Sequence, residues 1–241
     1  MSPSVDFGTA NQRKRDTVVD FAGVMARLLT RHGNKVGAMI FSRTVEDVLP
    51  PRSGQNQILQ LVHQLIRPER IAKANAARER HAKNRRNEAD REGVTDLKAI
   101  LDRASETLKR RSLVFVVSDF ISPDGWDIPL ARLAQKHEVI AVWLNDPREE
   151  ELPPIGPLVL EDSETGEQVY VDTRDKGFQE RFAALVAERR AKLERTFARF
   201  GVDVIRLTTD ADLVQTMLSF AQIRKERHRR GNYRVASGAI V

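Results

Sequence analysis

Four oxygen-bearing side chains stand where an α/β chain usually does its chemistry: Ser2 and Ser4 ahead of the first helix, Thr95 at the start of a later helix, and Asp119 just after the apolar run 113–117. Two serine hydroxyls, a threonine hydroxyl and a carboxylate are hard donors of the kind Mg2+ takes, with waters and a partner's carboxylate completing an octahedron. Open α/β sheets bind ligands beyond the carboxyl ends of their strands, which is where the loop after 113–117 falls. The same residues also suit simpler work: Ser4 and Thr95 as helix caps, Asp119 as a strand terminator.

Other chemistry is missing. There is no phosphate loop ending in Gly-Lys-Ser/Thr, no Gly-x-Gly-x-x-Gly after a strand and no His-Glu-x-x-His. The absence of cysteine excludes disulfides, thiolate zinc sites and a thiol nucleophile together. His32, His63, His81, His137 and His228 show no ligand-like spacing and read as surface or capping residues. A phosphate-ester hydrolase built on the same metal would lack an obvious general base beside Asp119. The expectation is a binding protein rather than an enzyme.

A helix over 11–32 follows the first hydroxyls, its apolar stripe being Val18, Phe21, Ala22, Met25, Leu28 and Leu29, with Asn11 as its cap and Gly33 as its stop. Two extended stretches follow, 36–41 and 44–49, the second ended by Pro50 and Pro51. Ser53 is the expected cap of a helix with Ile58, Leu61, Val62, Leu65 and Ile66 on one face, stopped by Pro68. Thr95 and Asp96 open a helix with Leu97, Ile100, Leu101, Ala104 and Leu108 inward. The unbroken apolar runs 113–117 and 139–144 read as strands buried on both faces, with a short helix over 126–135 between them. Strands spaced by helices imply crossover units and a mainly parallel sheet with helices on both faces. A hairpin over 158–161 and 168–171 hangs on that sheet, followed by a helix over 178–200, a strand over 202–207 and a helix from 213 to about 225.

The domain expected from these elements spans 1–225, with a basic, disordered tail over 226–241. Residues 69–92 mix eight Lys and Arg with five acids and have Ile71 as their one large apolar residue, so they read as a polar connector or solvated helix. The net charge of +6 favours acidic partners. Nucleic-acid binding through 69–92 and the tail residues Arg227, Arg229, Arg230 and Arg234 is the alternative function, weakened by the interleaved acids and by the absence of an aromatic in 69–92 to stack on bases. No apolar run approaches the ~18 residues of a membrane helix, and Met1-Ser2-Pro3-Ser4 lacks the features of a secretory signal, so the expected compartment is the cytoplasm.

Seven short motifs occur in a family order: Val5-Asp6-Phe7-Gly8-Thr9, Lys14-Arg15-Asp16, Leu49-Pro50-Pro51-Arg52-Ser53-Gly54, Thr95-Asp96-Leu97, Val117-Ser118-Asp119-Phe120, Asp146-Pro147-Arg148-Glu149-Glu150-Glu151-Leu152-Pro153, and Glu164-Thr165-Gly166-Glu167 followed by Val171-Asp172-Thr173. In this the chain resembles the domain-of-unknown-function 58 family, which is similar to von Willebrand factor A domains. The resemblance implies a Rossmann-like sheet and a metal-ion-dependent adhesion site of the form Asp-x-Ser-x-Ser, then Thr, then Asp. Ser2 and Ser4 would take the serine positions, Thr95 the threonine and Asp119 the distal aspartate. It also implies partnership with a MoxR-type AAA+ ATPase in assembling or activating other proteins. The leading aspartate would fall one residue before Met1, together with the central first strand that delivers it, flanked by 36–41 and 113–117. The expectation is therefore a start codon upstream of Met1 and, in the chain as written, a degenerate site that binds Mg2+ weakly.

Overall fold

The structure, a computed structural model, describes residues 14–41, 45–67, 96–150, 153–161 and 168–229. Ser2, Ser4, Thr95, the connector 69–92 and the tail from 230 onward lie outside the described residues. Helix α1 (Lys14–Arg31) forms where Thr17, Val18, Phe21 and Met25 recur at helical spacing, and it buries that stripe. It stops at Gly33, whose φ of 79° an L side chain would resist.

Strands β1 (Val36–Phe41) and β2 (Val45–Arg52) pair antiparallel. The second strand was expected to end at Pro50 and Pro51, but it runs through both to Arg52. A bulge accommodates them: between the pairs Val36–Arg52 and Ala38–Leu49, two prolines oppose the single residue Gly37. Prolines are tolerated there because, among the described residues, β2 pairs on one side alone and the bulge relaxes the demand for donors. A side chain on Gly37 would come within 2.8 Å of the Leu49 carbonyl oxygen, so the bulge requires glycine. Helix α2 (Gln55–Ile66) is preceded by Gly54, not Ser53, as its cap residue, with no side-chain cap bond. Buried Gln57 fastens it to the hairpin instead, donating to the carbonyls of Val36 at 2.7 Å and Pro50 at 2.9 Å.

Helix α3 (Leu97–Thr107) is capped by Asp96, whose carboxylate accepts from the amides of Lys98 and Ala99. Then come β3 (Leu113–Ser118), α4 (Asp127–Lys136), β4 (Glu138–Asn145), a four-residue helix α5 (Pro147–Glu150), the antiparallel hairpin β5 (Pro157–Glu161) and β6 (Gln168–Asp172), α6 (Lys176–Phe200), β7 (Asp203–Thr208) and α7 (Leu213–Arg229). The last helix runs about a turn beyond its expected end.

Strands β3, β4 and β7 form a parallel sheet in that order. Alternate residues of β4 feed two cores. Val139, Ala141 and Trp143 pack with Leu101, Leu130, Leu133 and Phe197 of α3, α4 and α6. Ile140, Val142 and Leu144 pack with Val18, Phe21 and Met25 of α1 and with Ile205 and Leu207 of β7. This is the mixed α/β architecture expected, a mainly parallel sheet covered by helices on both faces.

Strand β3 corrects one expectation. Read as buried on both faces, it is half-buried at all six positions. Its apolar side chains do reach both cores, but β3 is the edge of the described sheet, and among the described residues no strand pairs with its outer side. The β1–β2 pair is a separate sheet, held to α1 and α2 through Val36, Ile40, Leu49, Leu61 and Leu65.

Candidate functional site

Because β3, β4 and β7 are parallel, their carboxyl ends lie at one edge. Ser118 pairs with Trp143, and Asn145 with Thr208, so the segments that follow, Asp119, Asp146 and Thr209, leave the sheet side by side. All three of these residues are buried.

Asp119 owes its orientation to a tight turn. The Ser118 hydroxyl oxygen accepts from the Phe120 amide at 3.0 Å, and Asp119 Oδ1 accepts from the Ile121 amide at 3.1 Å. Phe120 sits at φ 55°, a left-handed conformation that a bulky side chain adopts at a cost of about 1–3 kcal/mol. The ring is held there by edge-to-face packing on Phe197 and by Trp126. Arg189 of α6 donates to the Asp119 carbonyl at 2.9 Å. After these contacts Asp119 Oδ2 is buried with no hydrogen bond.

That oxygen faces an ammonium. Lys14, the first residue of α1, is fully buried; its Nζ lies 3.7 Å from Asp119 Oδ2, 2.7 Å from Glu149 Oε1 and 2.6 Å from Glu149 Oε2. Glu149 is delivered by α5, which Asp146 anchors. Asp146 Oδ1 accepts from the Arg148 amide at 2.9 Å, and its Oδ2 accepts from the Thr209 hydroxyl at 2.8 Å. Burial pushes the Glu149 carboxyl above its usual value; Lys14 pulls it back down, and the Asp119 charge adds to the upward push. The edge therefore holds two carboxylates around one ammonium, with most of the cluster out of water.

Of the expected ligands, Asp119 alone is described, and it sits at the strand end where it was placed. Ser2, Ser4 and Thr95 lie outside the described residues. Two residues after Thr95, the Leu97 amide donates to the Ser122 hydroxyl in the loop after Asp119. Among the described residues no group of three or more His, Asp or Glu converges as metal ligands, and the open oxygen of Asp119 looks at a lysine. These residues do not fit the divalent ion that the resemblance implies.

Sequence reasoning missed Lys14, Glu149, Asp146 and Thr209 as site residues. A signal for Lys14 existed: positions 14, 17, 18, 21 and 25 are one helix face, so a lysine stands on the apolar stripe. Asp146 followed by Pro147 directly after a strand is likewise a helix-start pattern.

The family model described as protein of unknown function DUF58 matches residues 1–192. Uncharacterized proteins of Mycobacterium tuberculosis and Mycobacterium bovis are each 32% identical over 226 residues, which is 93% of this chain and 65% of theirs. The chain thus spans just under two thirds of the length of these curated relatives. Among solved structures, a conserved hypothetical protein BatB from Bacteroides thetaiotaomicron aligns with a TM-score of 0.50 at 11% identity, covering 94% of this chain and 95% of that one. An aerotolerance-related membrane protein from Bacteroides fragilis aligns with a TM-score of 0.50 at 13% identity, covering 95% and 94%. At such identities the likeness concerns the fold alone. With a family match over most of its length, the chain belongs to the DUF58 family of proteins of unknown function.

Proposed function

We propose that this chain is a non-enzymatic protein-interaction module that presents the carboxyl edge of its parallel sheet to a protein partner. The observation that carries the reading is Asp119, a buried carboxylate whose Oδ2 accepts no hydrogen bond and faces the Lys14 ammonium at 3.7 Å, held at the strand ends by a strained turn. Buried polar atoms are ordinarily satisfied, and strain concentrates where a fold has been shaped for binding. The edge is a degenerate form of the metal-ion-dependent adhesion site of von Willebrand factor A domains, with the Lys14 ammonium facing the Asp119 carboxylate.

The partner class follows from the family resemblance: a MoxR-type AAA+ ATPase, with which the module acts as adaptor in the assembly or activation of other proteins. The module works in the cytoplasm. No helix among the described residues is long and apolar enough to cross a membrane. The test is a pull-down of a MoxR-type ATPase by the full chain and by Asp119→Asn. Capture lost in the variant supports the reading, and equal capture by both contradicts it.

A further inference from the structure

The ammonium of Lys14 is more than a counter-charge on the surface. It is fully buried, and it sits between two carboxylates from distant parts of the chain, contacting both oxygens of Glu149 and lying 3.7 Å from the open oxygen of Asp119. Both carboxylates are themselves largely out of water, with side-chain exposures of 4% for Asp119 and 27% for Glu149. Two buried negative charges this close would repel each other strongly without a cation between them. Each is independently fixed, Asp119 by the Ile121 amide and Glu149 by the anchored helix α5. The pair is therefore a preformed oxygen seat whose central charge is supplied by the chain itself.

We propose that Lys14 is the resident cation of this edge, standing in for a divalent ion, so that the chain holds its acidic cluster together without metal, and that removing the lysine's charge converts Asp119 and Glu149 into a divalent-cation site. The inference rests on the proposed role of this edge only for its biological meaning; the chemistry stands on the geometry. Lysine and metal would occupy one place, so the seat stays closed to the ion while Lys14 is in it.

The experiment is a titration of the full chain and of Lys14→Met with Mn2+, read by calorimetry and by the shift of the melting temperature, since an ion that binds only the folded state raises it. Methionine preserves most of the side-chain volume and removes the charge. The wild-type chain is expected to show weak binding and no thermal shift, and Lys14→Met to bind at least about tenfold more tightly, because ligand charge count sets affinity for hard cations. The gain is lost in Lys14→Met combined with Asp119→Asn. Wild-type binding as tight as that of Lys14→Met, or no gain in the folded variant, overturns the inference. If Lys14→Met does not fold, nitrogen-detected NMR of the wild-type lysine ammonium groups decides. A Lys14 signal unmoved by millimolar Mg2+ supports a resident lysine, and a signal displaced by Mg2+ overturns it. Failure of ATPase capture alone would remove the adaptor reading and leave these results untouched.

Discussion

Thr209 donates its hydroxyl to Asp146 Oδ2 at 2.8 Å, joining the ends of two neighbouring parallel strands inside the protein. The bond belongs to the scaffold of the site, because the other oxygen of Asp146 holds the start of α5, and α5 carries Glu149 to Lys14. A chain of three contacts thus runs from β7 to the first turn of α1.

Cutting that chain at Thr209 should be felt beyond the bond itself. Thr209→Val leaves a fully buried carboxylate oxygen without its donor, at a cost of about 1–3 kcal/mol. Urea unfolding checks the magnitude. A loss below a few tenths of a kcal/mol, as for an ordinary surface change, would show that Asp146 is satisfied some other way.

Lys14 and Glu149 should behave as a coupled pair. Lys14→Ala strands a carboxylate and is expected to cost about 3–5 kcal/mol, whereas Lys14→Met with Glu149→Met should cost far less than the sum of the single changes. A double-mutant cycle measures the difference. Additive effects would mean that the two side chains do not interact in solution.

Gly37→Ala tests the bulge. The new methyl meets the Leu49 carbonyl oxygen and the Pro51 backbone, neither of which can swing aside, so destabilisation of about 1–3 kcal/mol is expected. A neutral effect in thermal unfolding would place the two prolines differently against β1.

His137 predicts a pH dependence. Its ring is buried with both nitrogens lacking hydrogen bonds, and burial, with Lys136 and Arg111 adding to it, holds it below its ordinary value of 6.5. The unfolded chain therefore binds the proton more readily than the folded one. Its contribution to stability is complete above about pH 6.5 and is lost as the pH falls through the lower folded value. Glu149, pushed upward, works in the opposite sense: its contribution is greatest below the unfolded value of 4.5 and declines as the pH rises through the folded one. His137→Leu should flatten the loss on mild acidification in denaturant titrations at several pH values. An unchanged slope would contradict a neutral, buried imidazole.

How much of this was legible beforehand depends on whether the cause was local. The unbroken run Val139–Leu144 announced a doubly buried strand, and the pattern was right because β4 has a strand on each side and helices on both faces. Gly201 announced the end of α6 and does adopt the left-handed cap at φ 65°. Leu113–Val117 has the same texture and its side chains do reach both cores, but no strand pairs with its outer edge among the described residues, and its positions stay half-buried. Pro50 and Pro51 looked like a strand end because proline rules assume pairing on both sides. The place of Asp119 directly after a strand was legible in the sequence. Lys14 was overlooked: its place on the apolar stripe of α1 was a local signal, but the carboxylate that holds it there lies 135 residues away.

The most direct test of the account is the affinity of the purified full chain for a MoxR-type ATPase, compared with that of Asp119→Asn and repeated with chelator. A protein-interaction edge whose cation is a lysine predicts binding by the wild-type chain that chelator leaves unchanged and that the substitution weakens at least about tenfold, or about 1.4 kcal/mol. Equal binding by the two proteins would contradict it.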